Sequence, residues 1–200
     1  MIGRVAVVVI TDPSCADLIE RVSAIARAVP RGSVLVQVRA KDRDGGFVYP
    51  LARAVIAVAR GHGAPVWVND RVDVALAAGA DGVHLPERGL SIEDARALAP
   101  GLAIGCSRHS IEAVRDVRGA DLVMLGPIWD TPSKPHAIGT SALAVRVDAR
   151  LCAIGGIDSP ERAREAVRAG ADAIAVMRAA WRSRDPGAAI SALVDAVSCS

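Results

Sequence analysis

Lysine is almost missing from this chain: of 24 basic side chains in 200 residues, 22 are arginine, leaving only Lys41 and Lys134. A genome-wide coding bias toward arginine explains a scarce lysine wherever any surface cation suffices, so the two survivors mark positions where arginine would not serve. Net charge of one sign is lacking too. With 24 basic against 22 acidic residues the balance is +2, and the basic residues are scattered, so a nucleic acid or an anionic membrane surface is not an expected partner. Long apolar runs are absent. Those present span about five to seven residues, against the roughly 20 that a membrane helix needs, and no charged-then-apolar leader precedes them. A cytoplasmic protein is expected. Clustered cysteines are also missing: Cys15, Cys106, Cys152 and Cys199 stand far apart, with no Cys-x-x-Cys pair and no grouped histidines. That excludes a zinc site or a disulfide framework and predicts reduced thiols, with Cys106 and Cys152 buried in apolar strands.

What is present is a regular alternation, in which short runs rich in Val, Ile and Leu recur every 20 to 30 residues between stretches of helical periodicity. Strands are expected at 5–10, 34–39, 66–69, 82–85, 103–107, 122–125, 151–154 and 173–176. Ser159-Pro160 reads as the N-cap and first residue of a helix, and Gly79 and Gly170 as C-terminal glycines. An internal echo supports the alternation: Ala80-Asp81, Ala120-Asp121 and Ala171-Asp172 each separate a helix end from a strand start. Strands apolar on both faces and alternating with helices belong to parallel sheets. Eight units in 200 residues fit an α/β fold, a minimal (β/α)8 TIM barrel occupying 1–200 as one domain, with an open doubly wound sheet as the alternative.

A barrel builds its active site at the C-terminal strand ends. On the second strand the period of two puts Gln37, Arg39 and Lys41 on one face, unless this is only a solvated strand end before a charged turn. The third strand ends in Asn69-Asp70, which either caps the next helix or offers an amide for phosphate and a carboxylate for a hard cation such as Mg2+. The fifth ends in Ser107. His62, His84, His109 and His136 have no partner spacing that suggests a triad or a metal site. After the sixth strand, a long loop carries Thr131, Ser133 and Lys134 within four residues, a set suited to closing on phosphate oxygens. After the seventh, Gly155-Gly156 allows close backbone approach at the usual phosphate corner. No activated nucleophile and no acid–base carboxylate pair is visible. Departure of a phosphate leaving group stabilised by cations, with positioning supplying the rest, is the implied chemistry.

These residues resemble the thiamine phosphate synthase family and its relatives, the thiazole tautomerases. The similarity runs in order through Ile10-Thr11-Asp12, Gln37 to Lys41, Val68-Asn69-Asp70, Gly79 to Leu85, Gly126-Pro127-Ile128, Thr131 to Lys134 and Ala153 to Ile157. The resemblance implies a barrel that joins an aminopyrimidine methyl diphosphate to a thiazole phosphate and releases pyrophosphate. By position, Arg39, Lys41, Asn69 and Lys134 would hold the diphosphate, with Gln37 and Ser107 beside the pyrimidine and Asp70 on Mg2+. Lys134, Ser107, Arg39 and Lys41 are the residues expected to act on the reacting groups. Thr131, Ser133 and the backbone of Gly155 and Gly156 would hold the thiazole phosphate. The pyrophosphate would leave first, and the thiazole nitrogen would attack the resulting pyrimidine carbocation.

Three positions depart from the family pattern. After the fourth strand the family carries Gly-Gln and an acidic pair whose last Asp is a second metal ligand, where this chain has Pro86-Glu87-Arg88-Gly89; Glu87 is the candidate substitute. Ala40 stands where a Glu is usual, and Arg178, which would add charge to the phosphate corner or crowd it, where a small hydroxyl is usual. Leu85-Pro86 resembles the tautomerase branch, whereas Gly126-Pro127 is the synthase form. Tautomerase activity and non-catalytic binding of thiamine precursors are the alternatives. The expected partners are small phosphorylated substrates, and a homo-oligomer is compatible with the sequence.

Overall fold

The structure, a computed structural model, describes residues 2–132 and 135–199. Ser133 and Lys134 therefore lie outside the described residues. Eight strands, β1 Val7–Ile10, β2 Val34–Val38, β3 Val66–Asn69, β4 Gly82–Leu85, β5 Ala103–Arg108, β6 Leu122–Leu125, β7 Arg150–Ile154 and β8 Ala173–Val176, are all parallel to their neighbours. β8 pairs with β1 and closes the barrel. Every expected strand is present, within two residues of its predicted ends. The described helices are α1 Leu18–Ala28, α2 Gly45–Ala59, α3 Val72–Ala78, α4 Ile92–Leu98, α5 Ile111–Arg115, α6 Pro160–Arg168, α7 Arg178–Trp181 and α8 Pro186–Ser198. Between β6 and β7 a 3-10 turn, Thr140–Ala144, stands where the alternation calls for a helix. None of the described helices is long and apolar enough to cross a membrane.

Local chemistry sets the helix ends. Asp44, Ser91, Ser110, Ser159 and Asp185 each accept the N–H three residues ahead, removing one orphan donor from the first turn. Gly79 ends α3 with φ 70°, the left-handed conformation that only glycine adopts without penalty.

Burial falls into two apolar bodies. The larger lies between the strands and the helix ring, and the smaller fills the barrel with Val5, Val8, Ile10, Leu35, Trp67, Leu122, Met124, Cys152, Ala173 and Ala175. Trp67 dominates the interior, and glycines on the next two strands make its room. A Cβ at Gly82 would come within 2.5 Å of Trp67 Nε1, and one at Gly105 within 2.5 Å of its Cζ3. Large and small residues thus interlock around the barrel, as close packing requires. Cys106 and Cys152 are fully buried, one in each body, and burial raises both thiol pKa values.

The repeated Ala-Asp has a structural task. Asp81 Oδ2 accepts the Val66 N–H at 2.8 Å, Asp121 Oδ2 that of Ile104 at 2.7 Å, and Asp172 Oδ2 that of Leu151 at 2.8 Å. In each case the Asp N–H returns a bond to the same residue's carbonyl. Arg60 and Arg96 pair with the first two carboxylates, and Arg150 donates to the Asp172 carbonyl. The clamps join β3 to β4, β5 to β6 and β7 to β8 at the N-terminal face, the end that a barrel reserves for stability.

Candidate active site

At the other end, the floor of the mouth carries buried polar atoms without partners. Gln37 is 1% exposed, and its Nε2 has no hydrogen-bond partner, nor have Trp67 Nε1 and His84 Nδ1. Gln37 and Trp67 stand opposite each other across the β2–β3 pairing. Because an orphaned buried donor costs about 1–3 kcal/mol, an inward-facing amide at the mouth is more economically explained as waiting for a ligand acceptor than as core filling. His84 shares the floor: a Cβ at Gly105 would lie 2.7 Å from His84 Nδ1 and 2.5 Å from Trp67 Cζ3, so the two rings crowd one point.

His84 Nε2 lies 2.8 Å from Ser107 Oγ. Burial, with Arg39 and Arg108 adding positive charge, pushes the His84 pKa down to about 3, so the ring is neutral at ordinary pH. Burying a bare lone pair costs less than burying a bare N–H, which assigns the proton to Nε2 and leaves Nδ1 as the orphan. Ser107 then accepts from His84 and keeps its own proton to donate into the mouth.

Cations rim this floor. β2 ends at Val38, so Arg39 lies one residue beyond it and half-buried, while Lys41 is exposed in the following turn. Arg39 is held by a residue whose role the sequence did not reveal: its N–H donates to Thr11 Oγ1 at 2.9 Å, and the Thr11 hydroxyl donates to the Arg39 carbonyl at 3.3 Å. Thr11 is fully buried. Because both bonds go to backbone, the guanidinium is left out of them.

Asn69 and Asp70 do not cap the next helix. The N-cap of α3 is Arg71, with no side-chain cap bond, so the capping alternative falls away. Asp70 has φ 68°, the one non-glycine with positive φ among the described residues. Its N–H donates to the His84 carbonyl at 2.8 Å, which fixes a conformation costing on the order of 1 kcal/mol and typical of functional sites. Glu87, the candidate second metal residue, turns to β5: its Oε1 accepts the His109 N–H at 3.4 Å. His109 Nδ1 lies 2.7 Å from the Gly126 carbonyl, tying the β5 and β6 ends together.

The corner after β7 is tightly built. Gly155 and Gly156 have φ 102° and 74°, and a Cβ on either would strike Pro127 or Trp129, at 2.7 and 2.5 Å. Ile128 and Trp129 N–H groups donate to the Ile154 and Gly155 carbonyls, at 2.9 and 3.1 Å, extending the β6–β7 pairing into the loops. Arg162 of α6 donates to the Gly156 carbonyl and sits 5.5 Å from the Trp129 ring centroid. It was not among the expected site residues; its sequence gives no signal, because its role appears only when α6 folds back on the loop. Thr131 is half-buried nearby in sequence, and Arg178 opens α7 just after β8.

A thiamine monophosphate synthase family model matches residues 7–180. The chain belongs to that family. It is 37% identical over 201 residues to the thiamine-phosphate synthase of Thermus thermophilus, covering 96% of each. The thiamine-phosphate synthase of Roseiflexus castenholzii is 38% identical over 204 residues, 96% of this chain and 88% of that one. A solved thiamine phosphate pyrophosphorylase from Pyrococcus furiosus superposes with a TM-score of 0.87 at 32% identity, covering 98% of this chain and 97% of that one. For a thiamine monophosphate synthase barrel, the departure at the fourth strand has a spatial meaning. A Cβ on Gly89 would lie 3.1 Å from Asp70 Oδ1, so the position where the family resemblance predicts a second carboxylate borders Asp70. The donors present suit a cation that brings oxygen ligands of its own: one carboxylate, Asp70, with open approach. Among the described residues, no three His, Cys, Asp or Glu side chains gather as a metal site.

Proposed function

We propose that the barrel joins an aminopyrimidine methyl diphosphate to a thiazole phosphate, forming thiamine phosphate and pyrophosphate. The observation that carries the reading is the pairing of an unpartnered amide donor, Gln37 Nε2, with the Arg39 and Lys41 rim above it. A ligand with a nitrogen acceptor at one end and a diphosphate at the other answers both.

In this reading Gln37 and the Ser107 hydroxyl orient the ring from below. Arg39, Lys41, Asn69 and Lys134 take up charge on the diphosphate as its bond to the pyrimidine methylene breaks, with both electrons leaving on oxygen. Stabilising charge that develops in the transition state is where such fixed cations act. Asp70 would hold Mg2+, which when bound neutralises part of the leaving group's charge. The thiazole nitrogen then bonds to the methylene carbon through its lone pair, losing no proton, so no general base is required. Thr131, Ser133 and the positive-φ Gly155-Gly156 backbone hold the thiazole phosphate, with Arg162 fixing the Gly156 carbonyl and Arg178 adding charge at the rim.

The test is direct. Purified protein with Mg2+ and both phosphorylated precursors should release pyrophosphate and form thiamine phosphate in equal amounts. No product at saturating substrates overturns the reading. Interconversion of thiazole carboxylate phosphate isomers alone would replace it with tautomerase chemistry, and thermal stabilisation without turnover with a binding role.

A further inference from the structure

We propose that the described residues of this chain form no complete divalent-cation site and that one is completed only with the diphosphate: among them Asp70 is the carboxylate that the site offers, and Pro86 blocks the approach of a second. The inference rests on the diphosphate reading above and concerns how the cation is held.

The turn after β4 is closed by the Gly89 N–H donating to the Pro86 carbonyl at 2.9 Å. This brings the Gly89 Cα against Asp70. A Cβ there would meet Asp70 Oδ1 at 3.1 Å, but would first meet Pro86 Cδ at 2.8 Å and Cγ at 2.9 Å. Gly89 is not among the positive-φ residues, so its backbone would accept a side chain. What excludes one is the Pro86 ring, whose atoms cannot swing aside as a flexible side chain could. Absence of the second carboxylate is thus built into packing. Glu87, in the same turn, accepts from the His109 N–H and lines a cleft with Pro86, Gly89, Cys106 and Arg108 that Asp70 does not line.

One carboxylate is a poor trap for a bare dication. Mg2+ takes six oxygens in near-octahedral array and gives up its waters reluctantly, so a lone carboxylate leaves most of the shell to water or to substrate oxygens. Arg39, one residue past the Val38–Val68 pairing, also brings positive charge to the side of the mouth that carries Asn69 and Asp70. Once a diphosphate lies between these groups, the field reverses and its oxygens fill the open positions. By linkage, the factor by which diphosphate tightens the cation is also the factor by which the cation tightens diphosphate.

The experiment uses Mn2+ as a spectroscopic substitute and inorganic pyrophosphate as the diphosphate, with both counted per chain after equilibrium dialysis. Wild-type protein alone should retain no stoichiometric Mn2+ below the millimolar range. With pyrophosphate it should retain one Mn2+ per chain at an affinity raised by at least about 100-fold, and Asp70→Asn should abolish the gain. The double variant Pro86→Gly/Gly89→Asp should retain Mn2+ without pyrophosphate, whereas Gly89→Asp alone should not. Stoichiometric Mn2+ on the wild type at micromolar levels without pyrophosphate overturns the inference and leaves the proposed function standing. Pyrophosphate that is not retained under any metal condition overturns both.

Discussion

The Ser107 hydroxyl oxygen lies 2.8 Å from the Nε2 of a buried, neutral His84. That contact joins the floor of the mouth to a pH dependence. In the unfolded chain His84 titrates near 6.5, and in the fold near 3 because burial, helped by Arg39 and Arg108, disfavours the charged ring. Below pH 6.5 the unfolded chain therefore takes up a proton that the folded chain refuses. Stability is lost as pH falls from 6.5 toward 3, by up to about 1.4 kcal/mol per pH unit. Urea unfolding of wild type and His84→Gln at pH 7 and pH 5 should show their difference in unfolding free energy changing by about 2 kcal/mol, with the wild type losing more. A pH-independent difference would mean that the fold does not exclude the proton.

Trp67 and Gly105 form a second coupled pair. Gly105→Ala puts a methyl 2.5 Å from Trp67 Cζ3 and 2.7 Å from His84 Nδ1, and overpacking of this kind costs about 1–3 kcal/mol. Trp67→Leu costs a similar amount through the cavity it leaves. The double variant should be more stable than the sum of the two losses predicts, because the leucine vacates the space that the methyl needs. Additive losses, measured by thermal or urea unfolding, would show that the two sites do not share that space.

Strands were legible in the sequence because each is a short apolar run ended by a turn residue, and the Ala-Asp echo marked three strand starts. Whether Trp67 faces inward was not legible, since a strand buried on both faces reads the same from either side. Capping and ligand binding stayed open for Asn69-Asp70 because Asn-Asp before a helix serves either purpose; the left-handed backbone of Asp70, which decides against capping, depends on the His84 carbonyl, 14 residues away in sequence. Thr11 and Arg162 act only across the closed barrel, through bonds that no local pattern encodes. Glu87 was the natural substitute by type, but the turn that carries it faces β5.

The Asp clamps separate stability from activity. Asp121→Ala removes the acceptor of the Ile104 N–H and the partner of Arg96, leaving a strand-end donor without its partner at a cost of about 1–3 kcal/mol. The clamp sits at the N-terminal face, the full height of the barrel from the mouth, so kcat and KM should be unchanged at a temperature where the variant is folded. Thermal unfolding and steady-state kinetics on the same preparation check this. A fall in kcat without a fall in stability would assign the carboxylate a role at the mouth instead.

The two lysines allow the finest test of the rim, because lysine-to-arginine exchange keeps the charge and changes only its geometry. Lys41 is exposed in the turn after β2, while Arg39, two residues earlier, is pinned by Thr11. A planar fork carried on a fixed backbone, beside a flexible ammonium, suits a diphosphate whose oxygens move as its bond breaks: the arginine offers two parallel donors from a set origin, and the ammonium follows. Lys41→Arg should therefore lower kcat by about 10-fold or more while KM for the diphosphate substrate changes little, the pattern of contacts made mainly in the transition state. Lys134→Ala, by the same reasoning, should reduce turnover strongly. Full activity in both Lys41→Arg and Lys134→Arg would show that the lysines are chance survivors of the arginine bias, and that charge alone serves at the rim.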